Sequence, residues 1–469
     1  MNNKSVLNNI FRKKQLSVIK DASLHGGLKK TLGVWDLLFL GLGSVVGSGI
    51  FVLIGVNTAL VSGPAVILSF AIAGITCILV ALVYTEVASS IPSSGGSYTY
   101  VYVSLGELAA WMVGCAAILQ LCFCSTTVAS GWSGYTVGIL EQLHISLPKY
   151  LVSTPLEGGL IDLPAFLLCL SLTFLVAKGS EESSVVNMVL VIIKLITILF
   201  FIYSASQHLE VKNWGSNLDE FMPFGAKGVL VASGSLFLSY TGFDIVANAA
   251  EESKNPKKDI TRALMGSIVI SMLIYIAVAT FLTGSMHYTD LNSKEPLAYA
   301  LKVRGNNIGG FFVALGGMLS MATVILVQIF GLSRILMAMS RDGFLPKLFS
   351  EIHPKYSTPY KGTIVVGVSM AVISGFLPIK IMGNLASLGT LTVLIFVSIS
   401  AMRLRKTHKD LKRTFRCPSL KIIAPISIIL CGYLAASLFE SVYFFYITYM
   451  VLALVVYCLY SRNNIKRLR

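Results

Sequence analysis

Charge is what this chain is short of. Of its 469 residues only 13% are Asp, Glu, Lys or Arg, and 55% are apolar, against roughly 25% charged in a soluble domain. That balance excludes a soluble enzyme, a disordered chain and a small disulfide-stapled secreted protein. Catalytic equipment is missing as well. The six histidines (His25, His144, His208, His287, His353, His408) stand outside the apolar runs, no HExxH occurs, and no Gly is followed by Lys. A metalloprotease, a haem protein and an ATP-driven pump with a Walker phosphate loop therefore lack their minimum parts, and no metal or cofactor is expected. Gly41, Gly43 and Gly47 do not form a dinucleotide fingerprint, because their spacing is wrong and an apolar segment surrounds them. Cysteine is sparse. Seven of the eight (Cys77, Cys115, Cys122, Cys124, Cys169, Cys431, Cys458) lie in apolar runs and Cys417 in a loop, so disulfides are not expected. Cys122 and Cys124, two apart, would face different sides of a helix and make a poor metal pair.

What the chain has in quantity is apolar runs of membrane length. With a window of about 19 residues, twelve spans are expected, near 35–57, 64–90, 107–138, 162–177, 184–206, 228–250, 262–285, 308–333, 362–378, 381–402, 421–439 and 442–460. The fold class is all-α integral membrane. The polar, basic segment 1–34 has no short apolar core of its own, so no cleaved signal peptide is expected and the first span serves as the anchor.

The formal charge of +15 acquires meaning from its placement. An even number of spans puts both termini on one side, and with that side cytoplasmic 29 of the 37 Lys and Arg fall on it, seven fall opposite, and Lys194 lies inside a span. The asymmetry sets the orientation, with N and C termini cytoplasmic. It also removes nucleic acid as a partner, because clusters such as Arg403 to Arg416 suit a membrane face beside anionic lipid.

The informative pattern is where Gly and Ser interrupt apolar spans. Span 1 carries Gly41-Leu42-Gly43-Ser44-Val45-Val46-Gly47-Ser48-Gly49-Ile50-Phe51 near mid-membrane, and span 6 carries Leu238-Ser239-Tyr240-Thr241-Gly242. Each glycine costs roughly 1 kcal/mol of helix relative to alanine. Breaks in spans one and six, five helices apart, are the pattern of an inverted-repeat secondary transporter with its substrate near the midplane. Close packing of small residues is the alternative, and it suits Ser130, Gly134 and Gly138 of span 3. At a broken helix the amides near Ser48, Gly49 and Ile50 suit a carboxylate, and the carbonyls of Ser44, Val45, Val46 and Ser239 suit an ammonium. An α-amino acid satisfies both ends; a small monocarboxylate or an amine satisfies one.

Several strings then resemble one family. Lys30-Thr31-Leu32-Gly33-Val34-Trp35-Asp36 leads into Gly47-Ser48-Gly49-Ile50-Phe51. Ser94-Gly95-Gly96-Ser97-Tyr98-Thr99-Tyr100, Ala129-Ser130-Gly131-Trp132-Ser133-Gly134-Tyr135, Gly242-Phe243-Asp244, Glu251-Glu252-Ser253-Lys254-Asn255-Pro256 and Ser340-Arg341-Asp342-Gly343-Phe344-Leu345-Pro346 follow in register. Together they resemble the bacterial cationic amino acid transporter branch of the amino acid, polyamine and organocation superfamily, over most of residues 29 to 407. The resemblance implies a five-plus-five inverted repeat: helices 1–5 over 35–206, helices 6–10 over 228–402, two extra helices over 421–460, and a cytoplasmic tail, 461–469. It also implies alternating access and, in bacterial members, proton coupling in the inner membrane.

Within that frame Lys194 resembles the span-5 lysine that takes the place of a sodium ion in proton-coupled members. A buried ammonium is costly enough to mark function, and Lys194 is expected to reach a carbonyl near Gly43 or Ser44; a permanently charged strut is the other reading. Asp244, just past the second break, either stabilises an ammonium or joins a proton path, or caps the following half-helix. Glu86, ending span 2, reads as a gate or loop contact. Two departures bear on specificity: Gln120 stands where the branch commonly has Glu, and Leu238 where many members carry an aromatic gate. Gln328 matches a pocket-facing position in span 8 and suits a polar or basic side chain, or an interhelical hydrogen bond. The expected function is amino acid and proton symport of a cationic or neutral amino acid; an exchanger of the same fold and a transport-inactive receptor are the alternatives. Substrate, protons and the bilayer are the expected partners, and nothing in the motifs specifies an oligomeric state.

Overall fold

The structure, a computed structural model, describes residues 12–15, 30–142, 144–293, 295–461 and 464. The expected N-terminal segment and tail therefore lie largely outside the described residues. The principal helices are α1 (Val34–Val45), α2 (Val66–Ser90), α3 (Gly96–Ser104), α4 (Glu107–Gln142), α5 (Leu163–Lys178), α6 (Ser180–Ser206), α7 (Gly225–Phe237), α8 (Pro256–Ser285), α9 (Asn307–Arg341), α10 (Tyr360–Phe376), α11 (Ile379–Thr407) and α12 (Leu420–Val456). Among the described residues there is no strand, only the isolated bridges Leu32 to Ser253 and Val152 to Asp162.

Among the described residues eight helical stretches are long and apolar enough to cross a membrane, and 163–178, 360–376 and 420–436 are shorter apolar helices. The division differs from the twelve separate spans of the sequence. Residues 34–90 form one apolar stretch, turned back at Gly63, whose φ of +64° only glycine adopts freely, ahead of Pro64. Spans 421–439 and 442–460 are two helices within the range of α12, parted at Val442 where φ is −142°, and Leu420–Ala436 and Val442–Ser461 are separate apolar helices. Glu440 and Ser441 stand between them; Cys417, ahead of the first, bonds to Glu86 near the end of α2, and Ser461, ending the second, bonds to Phe344 just past the end of α9, so the two helices run back on each other.

Long α4 packs against α9 and α11, α2 against α7 and α8, α5 against α10, and α12 covers α11. Large apolar side chains such as Leu199, Leu273, Phe312 and Ile429 remain exposed on the outside while serines, threonines, Lys194 and Arg334 are buried. This inversion suits a lipid solvent, in which polar groups must be satisfied inside the bundle. The segment before α1, the end of α2, α3, and the ends of α9 and α11 share one face, here termed the arm face.

One assignment from the sequence is corrected. Lys194 is not the only basic residue within a helical span: α9 continues past 333 to Arg341, and Arg334 is 0% exposed. Its guanidinium meets Glu252 at 2.8 Å and stacks over the Phe330 ring, 3.7 Å from the centroid. That pairing lets a charge extend the apolar run that hydropathy ends at Ser333.

Candidate functional site: two interrupted helices

The first helix stops where its glycines begin to dominate. Regular α-helix ends at Val45, Val46 is extended (φ −79°, ψ 99°), and the chain resumes as a wide π-turn over Gly49–Leu53. Ile50 and Phe51 both donate to the Gly47 carbonyl, at 3.2 and 3.3 Å, so Ile50 spends its amide inside the segment. The amides ahead of that turn, Ser48 and Gly49, are the ones left to face a ligand. In the second interruption α7 ends at Phe237, Leu238–Tyr240 tighten into a 3-10 turn, Thr241 is extended, and Gly242 takes φ +99° before Ile245–Asn248 resumes.

The two breaks meet. A Cβ on Gly49 would lie 2.8 Å from Ser239 Cα, and one on Gly47 would lie 2.5 Å from Val324 Cγ2. Tyr275 of α8 places its hydroxyl 2.7 Å from Val45 O and 2.9 Å from Ser239 O, so one proton serves the ends of both interrupted helices. Tyr240 turns away and donates to Phe70 O at 2.9 Å.

The bared carbonyls of α1 are gripped from one side. Lys194 of α6 is 0% exposed, and its Nζ lies 2.6 Å from Val46 O, 3.2 Å from Gly43 O and 3.4 Å from Leu42 O. From α9, Ser320 donates to Val46 O at 2.9 Å and Thr323 to Gly43 O at 3.0 Å. Of the carbonyls expected to be open, Val45, Val46 and Ser239 thus already accept from protein donors, while Ser44 O accepts no side-chain donor among the described residues.

A polar nest lies beneath the breaks, towards the arm face. Asp244 stands at the start of Ile245–Asn248 but makes no side-chain capping bond to it. Its two oxygens face Gln120 Nε2 of α4, at 3.4 and 3.3 Å. Gln328 Nε2 of α9 approaches Cys124 Sγ at 3.4 Å and Ser44 Oγ at 3.5 Å. Gln120 Oε1, Gln328 Oε1 and Ser239 Oγ are buried without a hydrogen-bond partner among the described residues. With the Gln120 amide nitrogen turned to the carboxylate, the nest has more acceptors than donors.

Side chains from α1, α4, α6, α8 and α9 thus converge with the second break on one region. Val45, Val46, Gly47, Ser48, Gly49, Ser239, Thr241, Gly242, Gln120, Gln328, Lys194 and Asp244 all belong to it, whereas Leu238 contributes its carbonyl to the local turn, accepting from Thr241. Tyr275, Ser320, Thr323 and Cys124 are residues the sequence reading did not select. Only Tyr275 carries a visible signal, as the one tyrosine of its apolar span. On the face opposite the arm, a cavity of 340 Å³ is lined by Val52, Ser130, Gly131, Tyr135 and Asp162 among others. Tyr135 donates to Phe51 O at 2.6 Å, and Glu86, instead of facing the site, is held at the arm face by Arg405.

A helical membrane bundle in which two helices open against each other around buried polar groups is the architecture of a multi-pass solute permease. The chain belongs to the amino acid permease family, whose model matches residues 32–459. It is 37% identical to the methylthioribose transporter of Bacillus subtilis over 460 residues, covering 98% of this chain and 99% of that one. It is 36% identical to the branched-chain amino acid permease BcaP of the same organism, with coverage of 97% and 98%. Human cationic amino acid transporter 4 is 34% identical over 394 residues, 83% of this chain and 62% of the human one.

Proposed function

We propose that this protein is a secondary active amino acid importer of the bacterial inner membrane, with both termini cytoplasmic, that carries its substrate together with a proton by alternating access. The membership in a permease family supports amino acid transport at the coarse level, and the carrying observation for the finer reading is the contact of Lys194 Nζ with three carbonyls of the first interrupted helix. A substrate carboxylate takes the amides of Ser48 and Gly49, and its ammonium takes the carbonyl side near Ser44 and Ser239. The side chain points into the nest of Gln120, Gln328 and Asp244. Ten of twelve spans, in two five-helix repeats over 35–206 and 228–402, supply the symmetry that such rocking needs, with two further helices over 421–460.

Loss of the Lys194 proton removes the charge that binds α6 to the Val46 carbonyl, and proton release and helix movement become one event. The acceptor surplus of the nest favours a side chain that donates hydrogen bonds, cationic or neutral-polar, over a branched aliphatic one, since a buried acceptor left unpaired costs about 1–3 kcal/mol. A second reading, a polyhydroxylated solute, draws on the same surplus and on the relative named a methylthioribose transporter.

The test is uptake into proteoliposomes against all twenty amino acids, with and without an imposed proton gradient. Gradient-driven accumulation of an amino acid, lost in Lys194→Ala while counterflow persists, is expected. Accumulation by Lys194→Ala equal to wild type overturns the coupling, and competition by no amino acid overturns the substrate class.

A further inference from the structure

The central site leaves idle the 340 Å³ cavity on the face opposite the arm. Ser130 and Gly134 of α4, expected to seat a neighbouring helix, line it instead. A Cβ added at Gly134 meets nothing within 4 Å, and one at Gly131 meets only Met321 Sδ, at 3.5 Å. Nearer the breaks Tyr135 donates to Phe51 O, and a Cβ on Gly317 of α9 would stand 3.2 Å from the Tyr135 ring and 3.0 Å from that of Phe51. Phe51 belongs to the turn that opens at Gly49, so the cavity, walled by Val52 and Tyr135, begins one turn beyond the amides of the first break.

A buried carboxylate faces this space. Asp162, 6% exposed, stands at the start of α5: its Oδ1 accepts from Ala165 N at 3.2 Å and from Ser133 Oγ at 2.5 Å, and its own amide donates to Gly375 O at 3.0 Å. These bonds account for its place in the fold and leave Oδ2 with no partner among the described residues. Buried Glu86, Glu251 and Glu252 each meet an arginine, whereas Asp162 meets no cation among the described residues. In the same wall Ser130 Oγ is buried with no hydrogen-bond partner among them. Glu157, which accepts from Thr154 at 2.8 Å, adds a second carboxylate at the exposed rim, and no Lys, Arg or His is among the described residues that line the cavity. An unpaired buried charge is costly, and a cleft lined by one sign of charge concentrates the opposite ion.

We propose that this cavity is an entry subsite for the ammonium group of an amino acid, ahead of the two interrupted helices. An ammonium head has three donors, and Asp162 Oδ2 and Ser130 Oγ are acceptors left open for it. A metal ion suits the wall less. A volume of 340 Å³ is that of a small-molecule pocket, not of one coordination shell, and the described residues hold no group of three or more His, Cys, Asp or Glu able to bind a metal. The subsite takes one end of the molecule, where the breaks take both, so it binds more weakly than they do. The inference rests on the reading of the protein as an amino acid carrier whose outer face this is.

Gly134→Cys, in the open wall of the cavity, supplies the reporter. The full chain in nanodiscs is treated with N-ethylmaleimide, and labelling of the new thiol is followed by peptide-resolved mass spectrometry. L-Lysine is the probe, and its Nα,Nε-diacetyl derivative, which has no ammonium, is the control. Lysine is expected to slow the labelling and the derivative to leave it unchanged. Protection is expected to survive Gly49→Ala, which removes the tighter binding at the breaks. Asp162→Asn is expected to raise the half-protecting lysine concentration about tenfold or more, the lower range for a hydrogen bond to a charged group. Asn can keep the helix cap and the bond from Ser133, so the loss reports the charge and not the fold. No protection by lysine, protection that Gly49→Ala abolishes, or protection that Asp162→Asn leaves unchanged overturns the subsite. Should Gly134→Cys not assemble, calorimetric titration of lysine into Gly49→Ala, with and without Asp162→Asn, decides: binding that Asp162→Asn weakens supports the subsite, and binding that is absent or unchanged overturns it. Wild-type proteoliposomes that carry no amino acid sink the carrier reading itself, an outcome separate from these.

Discussion

Lys194 Nζ lies 2.6 Å from the carbonyl oxygen of Val46, the residue at which the first helix leaves helical geometry. The ammonium therefore stands where an interrupted helix has most unsatisfied acceptors, and it shares Val46 O with the hydroxyl of Ser320. The two donors are not equivalent. Lys194→Met keeps the stem and removes a charged donor serving Gly43 and Val46, while Ser320→Ala removes one neutral bond from a carbonyl that keeps Lys194. The expected losses are about 1.5–3 kcal/mol for the first and about 0.5–1.5 kcal/mol for the second, read as thermal unfolding midpoints in detergent. A larger shift for Ser320→Ala would show that Lys194 does not hold the break.

Gly49 and Gly134 differ in what surrounds them, and the close helix packing expected at Gly134 is not found there. At Gly49 an added Cβ meets the backbone of Ser239 at 2.8 Å, and neither break can retreat without opening the site; at Gly134 it meets nothing within 4 Å. Gly49→Ala is expected to abolish substrate binding, with a stability loss of about 1–3 kcal/mol from overpacking. Gly134→Ala is expected to stay within about 0.5 kcal/mol of wild type or gain helix stability. Scintillation-proximity binding and melting of the two variants make the check, and equal behaviour would remove the case for a close approach at Gly49.

How much of this was legible beforehand follows from which signals are local. The breaks at Val46 and at Thr241-Gly242 were readable because glycine and serine clustered in otherwise apolar runs, a feature of a dozen neighbouring residues. The reach of Lys194 to the first helix was readable because a lone ammonium in an apolar run must find acceptors, and a broken helix offers them. Ser320, Thr323 and Tyr275 were not. Each is one ordinary polar residue in a long span, and its role depends on which helix lies opposite. Arg334 was lost for another reason: hydropathy ends a span at the first charge, and only Glu252, 82 residues earlier, reveals that the charge is matched.

Arg334 and Glu252 offer a double-mutant cycle at a fully buried pair. Arg334→Leu strands a carboxylate and Glu252→Leu strands a guanidinium, and each is expected to cost about 3–5 kcal/mol. The double variant, with no charge left buried, is expected to lose less than the sum of the two single losses, giving a coupling energy of about 2–3 kcal/mol. Single variants that melt like wild type would mean that water reaches the pair.

Cys417 tests the other end of the arm face. Its amide donates to Glu86 Oε2 at 2.7 Å, its carbonyl accepts from Arg405 at 2.6 Å, and the side chain is buried although it belongs to a loop. Burial, with the Glu86 carboxylate adding to it, pushes the thiol up to about 11, and the nearby Arg405 opposes this only in part. The thiol is therefore the species present at neutral pH, and the thiolate that reacts is on the order of a hundredfold rarer than for a free cysteine. Because the raised value favours the protonated form, reactivity grows with pH. Iodoacetamide modification of Cys417, followed by mass spectrometry beside free glutathione as the reference thiol, is expected to be slow at pH 7.5 and to rise about tenfold per pH unit through pH 10. Glu86→Gln removes the carboxylate charge and is expected to accelerate the reaction at fixed pH. A Cys417 that reacts at pH 7.5 as fast as free glutathione would mean that the cluster of Glu86, Arg405 and Cys417 is open to water, and that α2 and α11 are not joined there.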